Sequence, residues 1–307
     1  MLPRIELEKK IENALQRSVI TAILGPRQCG KTTICRMVGQ NHNAVFYDLE
    51  DPVTLQVLSQ SPMQALSVHE GLVILDEIQR MPELFPLLRV LADRNNSTAR
   101  FIILGSASPH LLKGVSETLS GRVAFIDMNG FDAWEAEEKN VNKLWFRGGF
   151  PRSFIAEDED LSYKWRQDFI RTFLEMDIPQ LGITIPSESL RRFWTMLAHY
   201  HGQTWNGSEF ARSIGTSEPT SRRYLDILTG AYAVRQLQPW FENIGKRQVK
   251  APKVYIRDSG LLHALLLLKG NQVTSHPKLG ASWEGFIIEQ LIRCPDLVLV
   301  NSWRRGT

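Results

Sequence analysis

The sequence predicts an α/β fold in which a doubly wound parallel sheet is followed by a helical linker and a winged-helix domain. Three observations carry that expectation. Gly25-Pro26-Arg27-Gln28-Cys29-Gly30-Lys31-Thr32 matches the phosphate-cradle pattern G-x-x-x-x-G-K-[ST] without a gap. Four further apolar runs of strand length alternate with helical patterns before residue 130. Past residue 185, three helical patterns in a row precede a hairpin-like pair of strands.

The first stretch, "MLPRIELEKKIENALQR", has the spacing of an amphipathic helix and lacks the basic-then-apolar layout of a signal peptide. "SVITAIL" (Ser18 to Leu24) is a β-branched run of strand length, and "TTICRMVGQ" continues as a helix. Strand, loop and helix are the context a P-loop needs, because consecutive backbone N–H groups and the helix dipole then face one anion. Gly25, Pro26, Arg27, Gln28, Cys29, Gly30, Lys31, Thr32 and Thr33 are therefore the expected nucleotide-binding residues. Lys31 would reach the β- and γ-phosphates of ATP, and the Thr32 hydroxyl would sit on Mg²⁺. A glycine turn with an incidental lysine is the plain alternative, and the flanking strand and helix disfavour it. Cys29 lies inside the loop, so its oxidation would block the cradle, although a cysteine there can equally be a small packing residue.

"GLVILDEIQ" (Gly71 to Gln79) reads as a strand buried on both faces. Asp76 at its carboxyl end is placed to hold Mg²⁺ as a Walker B aspartate does, and Glu77 to orient or deprotonate the attacking water. "NAVFYDLED" and "ARFIILGSAS" are two more strands ending in polar residues, and ligands of open α/β sheets bind at carboxyl strand ends. Ser106 is thus expected to sense the γ-phosphate. "GRVAFIDM" supplies a fifth strand. A strand lying between the two Walker strands fits the P-loop branch that uses a catalytic glutamate. Arg122, in "LSGRVAF", is expected either to stabilise transition-state charge, within the chain or across a homo-oligomer interface, or to pair with an acid at a strand edge. Lys31, Glu77, Arg122 and Ser106 form the expected catalytic set, with Thr32 and Asp76 on the metal.

The expected domains are a P-loop ATPase core (1–130), a helical connector or lid (131–185), a winged helix (186–268) and an incomplete last domain (269–307). In the connector, Tyr163, Phe169, Ile170, Phe173 and Leu174 form a helical stripe that Pro179 should end. "SLRRFWTMLAHYHG", "GSEFARSIG" and "TSEPTSRRYLDILTG" then follow in helix-turn-helix order, with Ser217 as N-cap and Gly230 past the end of the third. Arg222 and Arg223 on that helix, with Lys246, Arg247 and Lys250 in the hairpin loop, are the candidate contacts to duplex DNA. A protein-contact or lid role is the alternative for the same module.

Charge agrees with a basic second half. The net charge is only +3, yet residues 185–307 carry 16 Lys+Arg against 9 Asp+Glu, while the residues before them carry 20 against 24. No apolar run approaches the ~20 residues that span a bilayer, so no membrane association is expected. Three cysteines form no disulfide framework and the histidines show no metal-ligand spacing, which points to a cytoplasmic protein without a structural metal.

Together these stretches resemble a family of prokaryotic AAA-like P-loop ATPases with a winged helix and a C-terminal domain of unknown function related to restriction-endonuclease folds. The resemblance spans "GPRQCGKTT", "YDLEDP", "VILDEIQ", "LGSAS", "LSGRV", "GGFPR", "FLEMDIP", "RRYLDIL", "KAPKVYIRDSGLL" and "WEGFIIEQL". It implies ATP binding by Gly30, Lys31, Thr32 and Asp76, with Glu77 as the catalytic acid. Family members continue past "SWRR" with a Glu-x-Asp strand and a Glu-x-Lys pair; neither exists here, and Glu289 matches only the first helix of that domain. The expected function is Mg²⁺-dependent ATP hydrolysis coupled to a DNA-associated winged helix, with ADP as product and without nuclease activity. A slow nucleotide-gated binding module is the alternative.

Overall fold

The computed structural model describes residues 2–94, 98–106, 117–183, 185–239 and 251–293. The chain divides into two compact units, Met1–Asn129 and Gly130–Thr307. No helix among the described residues is long and apolar enough to cross a membrane.

The first unit is a three-layer α/β sandwich. Its strands are β1 (Ile20–Gly25), β2 (Val45–Asp48), β3 (Leu72–Asp76), β4 (Arg100–Ser106) and β5 (Val123–Asp127), in the order β2-β3-β4-β1-β5. All four strand pairs are parallel. Strand β4 therefore lies between β1 and β3, as expected of the two Walker strands. Alternate residues serve the two faces. Ile23, Ile74, Ile102 and Leu104 pack under α1 (Ile5–Arg17) and α2 (Lys31–Asn41), beside Ile11, Leu15, Ile34 and Val38. Ala22, Leu24, Val73, Leu75 and Ile103 face α3 (Pro52–Gln60), α4 (Pro62–Ser67) and α5 (Leu84–Ala92) through Leu58, Leu66, Leu84 and Leu88. Burial on both faces explains why β1 and β3 read as unbroken apolar runs.

The second unit opens with single helical turns and α6 (Val141–Arg147), then α7 (Glu159–Thr172). Pro179 does not end this helical stretch: Phe173–Asp177 winds as a π-helix and Ile178–Gln180 continues helical. A proline ring clashes with the carbonyl of residue i−4 and offers no N–H. Widening the preceding turn relieves both, and the Ile178 N–H bonds the Phe173 carbonyl. Helices α8 (Ser187–His199), α9 (Gly207–Ile214) and α10 (Glu218–Gly230) follow, then the antiparallel pair β6 (Val234–Leu237) and β7 (Lys253–Ile256), α11 (Ser259–Leu265) and α12 (Leu279–Arg293). Ser217 caps α10 through the Thr220 N–H, but Gly230 is its last residue and Ala231 the C-cap. Phe150, Phe169, Phe173 and Leu174 share one apolar core with Phe193, Trp194, Phe210, Leu225 and Leu262. The segment expected to be a connector thus contributes to the core of the unit that follows it.

Two glycine-bearing stretches meet in this unit. A Cβ on Gly148 (φ +78°) would strike the Asp258 carboxylate at 2.1 Å, and one on Gly260 would strike the Arg147 carbonyl at 2.1 Å. Asp258 accepts from Gly149 N–H at 2.8 Å and from Leu261 N–H at 2.9 Å, capping α11. Arg166, also buried, donates to the Phe146 and Gly260 carbonyls at 3.0 and 3.2 Å.

His201 and His263 are buried in the same unit. The Phe146 carbonyl beside His263 Nδ1, 3.1 Å away, can only accept, so Nδ1 carries the proton and Ser282 Oγ donates to Nε2 at 2.7 Å. His201 Nδ1 accepts from the Ile256 N–H at 3.0 Å. Burial holds both imidazoles neutral, His201 down to about 4 and His263 to about 3. Unfolded, both take up a proton near pH 6.5. Stability present in full above pH 6.5 is therefore lost as pH falls toward 4. All eight tryptophans lie past residue 130, so their fluorescence reports on this unit. Between pH 7.5 and pH 5, its urea stability is expected to drop by on the order of a few kcal/mol; an unchanged midpoint would show that both imidazoles are protonated without cost.

Candidate nucleotide site

The chain leaves β1 at Gly25 and enters α2 at Lys31. Gln28 (φ 60°) and Gly30 (φ 99°) are left-handed, which turns successive N–H groups inward as an anion nest. Gly30 is the N-cap and supplies no side-chain acceptor, so the first N–H groups of α2 face the loop. Gly25 has no room for a side chain, since a Cβ would sit 2.0 Å from the Met128 carbonyl oxygen. Cys29 is fully buried, with Sγ 3.9 Å from that same oxygen, which is the packing role of a small thiol. Pro26 and Arg27 complete the turn, and Thr33 lies in the first turn of α2.

Lys31 crosses the loop. Its Nζ donates to the Gly25 and Pro26 carbonyls at 3.1 and 2.8 Å, so the ammonium is already held against the cradle. Thr32 Oγ1 donates to Asp76 Oδ2 at 2.7 Å. Asp76 is the last residue of β3, is 3% exposed, and accepts the Glu77 N–H on Oδ1 at 3.0 Å. Burial pushes its carboxyl above the ordinary range; the Thr32 hydrogen bond opposes this, and the charges of Glu77 and Asp48 reinforce it. A hydroxyl and a carboxylate held together are hard oxygen donors, and they fit Mg²⁺, which takes few protein ligands and completes its shell with phosphate and water. Among the described residues no three His, Cys, Asp or Glu side chains could hold a metal by themselves.

Glu77 is left-handed (φ 55°, ψ 45°), a costly backbone state for a residue with a Cβ and one that clusters at functional sites. It starts the turn Ile78–Arg80, and its carboxylate accepts from Gln79 Nε2. Ser106 ends β4 in register with Gly25.

Arg122 is not brought to the cradle. It precedes β5, and its carbonyl accepts the Ile20 N–H at the start of β1. A five-residue strand puts it roughly 16 Å from the carboxyl edge. Its guanidinium is bidentate on Asp93, with Nη2 2.9 Å from Oδ2. Of the two readings of Arg122, the acid pair at a strand edge describes its place in this chain.

Three residues at the site were not expected. Arg4 Nη1 donates to the Cys29 and Asn129 carbonyls at 3.4 and 3.1 Å, and Glu50 accepts from both Arg27 and Arg80. No spacing links positions 4, 50 and 80; the strand order alone gathers them.

In the second unit, Arg222 and Arg223 are exposed on α10 while Tyr224, Leu225 and Leu228 are buried. Arg222 Nε lies 3.3 Å from Asp226 Oδ1. Lys246, Arg247 and Lys250 lie outside the described residues. Glu289, buried on α12, is bound by Arg235, Arg257 and Arg293. Burial alone would raise its pKa, but the three guanidiniums hold it below the ordinary range. A carboxylate committed to three cations is not free to ligate a metal.

Sheet order, cradle and paired Thr32 and Asp76 define a P-loop NTPase of the α/β class. Family comparison agrees: the AAA domain family matches residues 17–137, and a domain of unknown function (DUF8612) matches residues 138–272. The first unit carries an AAA-like P-loop ATPase domain. The chain is 50% identical over 292 residues to the uncharacterized protein Rv2008c of Mycobacterium tuberculosis and, equally, to Mb2031c of Mycobacterium bovis. The match covers 95% of this chain and 66% of each relative, so the chain spans just under two thirds of their length. Among solved structures, the Walker-type ATPase PABY2304 of Pyrococcus abyssi is similar with a TM-score of 0.61 at 16% identity, covering 87% of this chain and 96% of its own. At that identity the likeness is one of fold.

The raised pKa of Asp76 has a consequence for stability. The folded chain binds this proton more tightly than the unfolded one, so stability is lost as pH rises from 3.8 through the raised value. Asp76→Asn removes that loss, and the Thr32 hydroxyl can turn to accept from the amide. The variant is expected to melt a few degrees higher than the parent at pH 7 by scanning calorimetry, while binding MgATP at least tenfold more weakly. A variant that is both less stable and equally tight would refute this assignment.

Proposed function

We propose that this chain binds MgATP in the cradle of residues 25–33 and hydrolyses it, and that residues 186–268 form a winged helix that carries the nucleotide state to duplex DNA. The observation behind the first part is the 2.7 Å hydrogen bond between Thr32 and Asp76. It joins the P-loop helix to the acidic end of β3, the arrangement that Mg²⁺ on a nucleotide needs. Thr32 and Asp76 would hold Mg²⁺, which would supply neutralisation of the charge that develops on the phosphates. Lys31 exchanges its two loop carbonyls for phosphate oxygens, and the α2 N-terminus and cradle N–H groups hold the rest of the chain of phosphates. Glu77 releases Gln79, orients the attacking water and takes its proton; ADP and inorganic phosphate leave. Ser106, one strand over from the P-loop, is the sensor of the γ-phosphate. Arg122 acts only from a neighbouring copy in a homo-oligomer, because its own cradle is out of reach.

Two observations favour the slower, nucleotide-gated reading: the Glu77 carboxylate is engaged by Gln79, and Arg122 is paired with Asp93 away from its own cradle. Glu77→Gln separates the two. Hydrolysis by Glu77 predicts a fall in turnover of about 10²-fold or more with ATP still bound, and turnover per chain that rises with protein concentration if Arg122 acts in trans. Turnover that is low in the parent and unchanged in the variant would establish the gating reading.

For DNA, the support is the order α8, α9, α10 and then the β6–β7 hairpin, with Gly215 left-handed in the turn before α10 and two arginines on its exposed face. Duplex affinity is expected to fall steeply with salt, and Arg222→Ala with Arg223→Ala to lower the slope of log K against log salt by about 2. Equal retention of variant and parent across the salt series would leave the module as a protein contact.

A further inference from the structure

One carboxylate oxygen beside the cradle serves two arginines. Arg27 Nη2 lies 3.5 Å and Arg80 Nη2 3.0 Å from the same Glu50 Oε1. Arg27 is part of the P-loop. Arg80 closes the turn that begins at Glu77, its N–H bonding the Glu77 carbonyl at 2.9 Å. Glu50 follows β2, where its N–H donates to Asp48 Oδ1 at 2.9 Å and Asp48 pairs in register with Asp76. Three segments that leave the carboxyl edge at different strands therefore converge on one ion cluster next to Lys31, Thr32 and Glu77.

One carboxylate oxygen divides its charge between two guanidiniums, and the two cations repel each other. The cluster is also weakly held, because the Glu50 and Arg80 side chains are 45% and 46% exposed and such pairs are screened by water. A guanidinium fork matches phosphate oxygens as well as it matches a carboxylate, and a triphosphate offers more charge than Glu50 does.

We propose that Glu50 is a displaceable counter-ion, parking Arg27 and Arg80 beside the cradle until the terminal phosphate of a nucleoside triphosphate takes them. The inference rests on the nucleotide-binding reading above. It gives the site its own cis cations at the γ-phosphate, a place that Arg122 of the same chain cannot fill. It also makes Glu50 a competitor of the nucleotide, so that removing the acid and removing the arginine act in opposite directions.

The test is calorimetric titration of the full chain with Mg²⁺ and either a non-hydrolysable ATP analogue or ADP, with a thermal melt of each variant as the folding control. Glu50→Gln is expected to bind the ATP analogue about threefold to tenfold more tightly, with a smaller gain for ADP. Arg80→Ala is expected to weaken the analogue by about tenfold or more while leaving ADP within about twofold, and Arg80→Lys to restore part of the difference. A purely structural cluster would instead lower the melting temperature of both variants and weaken both nucleotides alike. Loss of affinity or no gain in Glu50→Gln, or equal losses for analogue and ADP in Arg80→Ala, overturns the inference while leaving nucleotide binding by the parent intact. A parent chain that binds neither nucleotide overturns the underlying reading and this inference with it.

Discussion

The hydrogen bond between Thr32 and Asp76 joins two elements that are distant in sequence and not adjacent in the sheet. Thr32 lies in the first turn of the helix after β1, whereas Asp76 ends β3, with β4 between β1 and β3. The contact exists because every strand runs the same way, so that all carboxyl ends and the helix N-termini that follow them share one edge. The register completes it, since Gly25 aligns with Ser106 and Asp48 with Asp76. An antiparallel neighbour would send one of these groups to the far edge. The loop of residues 25–33, the Thr32–Asp76 pair and the proposed role of Glu77 all depend on this polarity.

The candidate site carries a cost within the fold itself. Asp76 is nearly buried, Glu77 holds a left-handed backbone, and Lys31 Nζ is spent on two loop carbonyls. On the proposed reading each meets its partner only in a phosphate, a metal ion or a water, and each is less favourable without one. The second unit treats buried charge differently. Arg166, Asp258 and Glu289 are satisfied by hydrogen bonds and ion pairs within the unit. Its polar interior ties α6, α7, α11 and α12 together.

Local patterns in the sequence disclosed the local structures. The Gly25–Thr33 loop, the apolar run before Asp76 and the Ser217 cap are short-range devices, and each stands where its pattern put it. Arg122 teaches the opposite lesson. It precedes an apolar run, and in a parallel sheet the residue before a strand sits at the amino edge, away from the ligand; strand polarity would have placed it. Pro179 misled for a different reason, since a widened turn carries the helix past the ring.

By itself the sequence determined the five strands, the cradle and the identity of the acid that meets Thr32, because periodicity and turn chemistry act over a few residues. Only the tertiary structure decided that Glu50, Arg27 and Arg80 meet, that Arg4 reaches the loop carbonyls, and that Arg122 belongs to Asp93. Those contacts span 23 to 30 positions along the chain and follow from strand order and register. That information resides in how layers pack, and no spacing within the sequence expresses it.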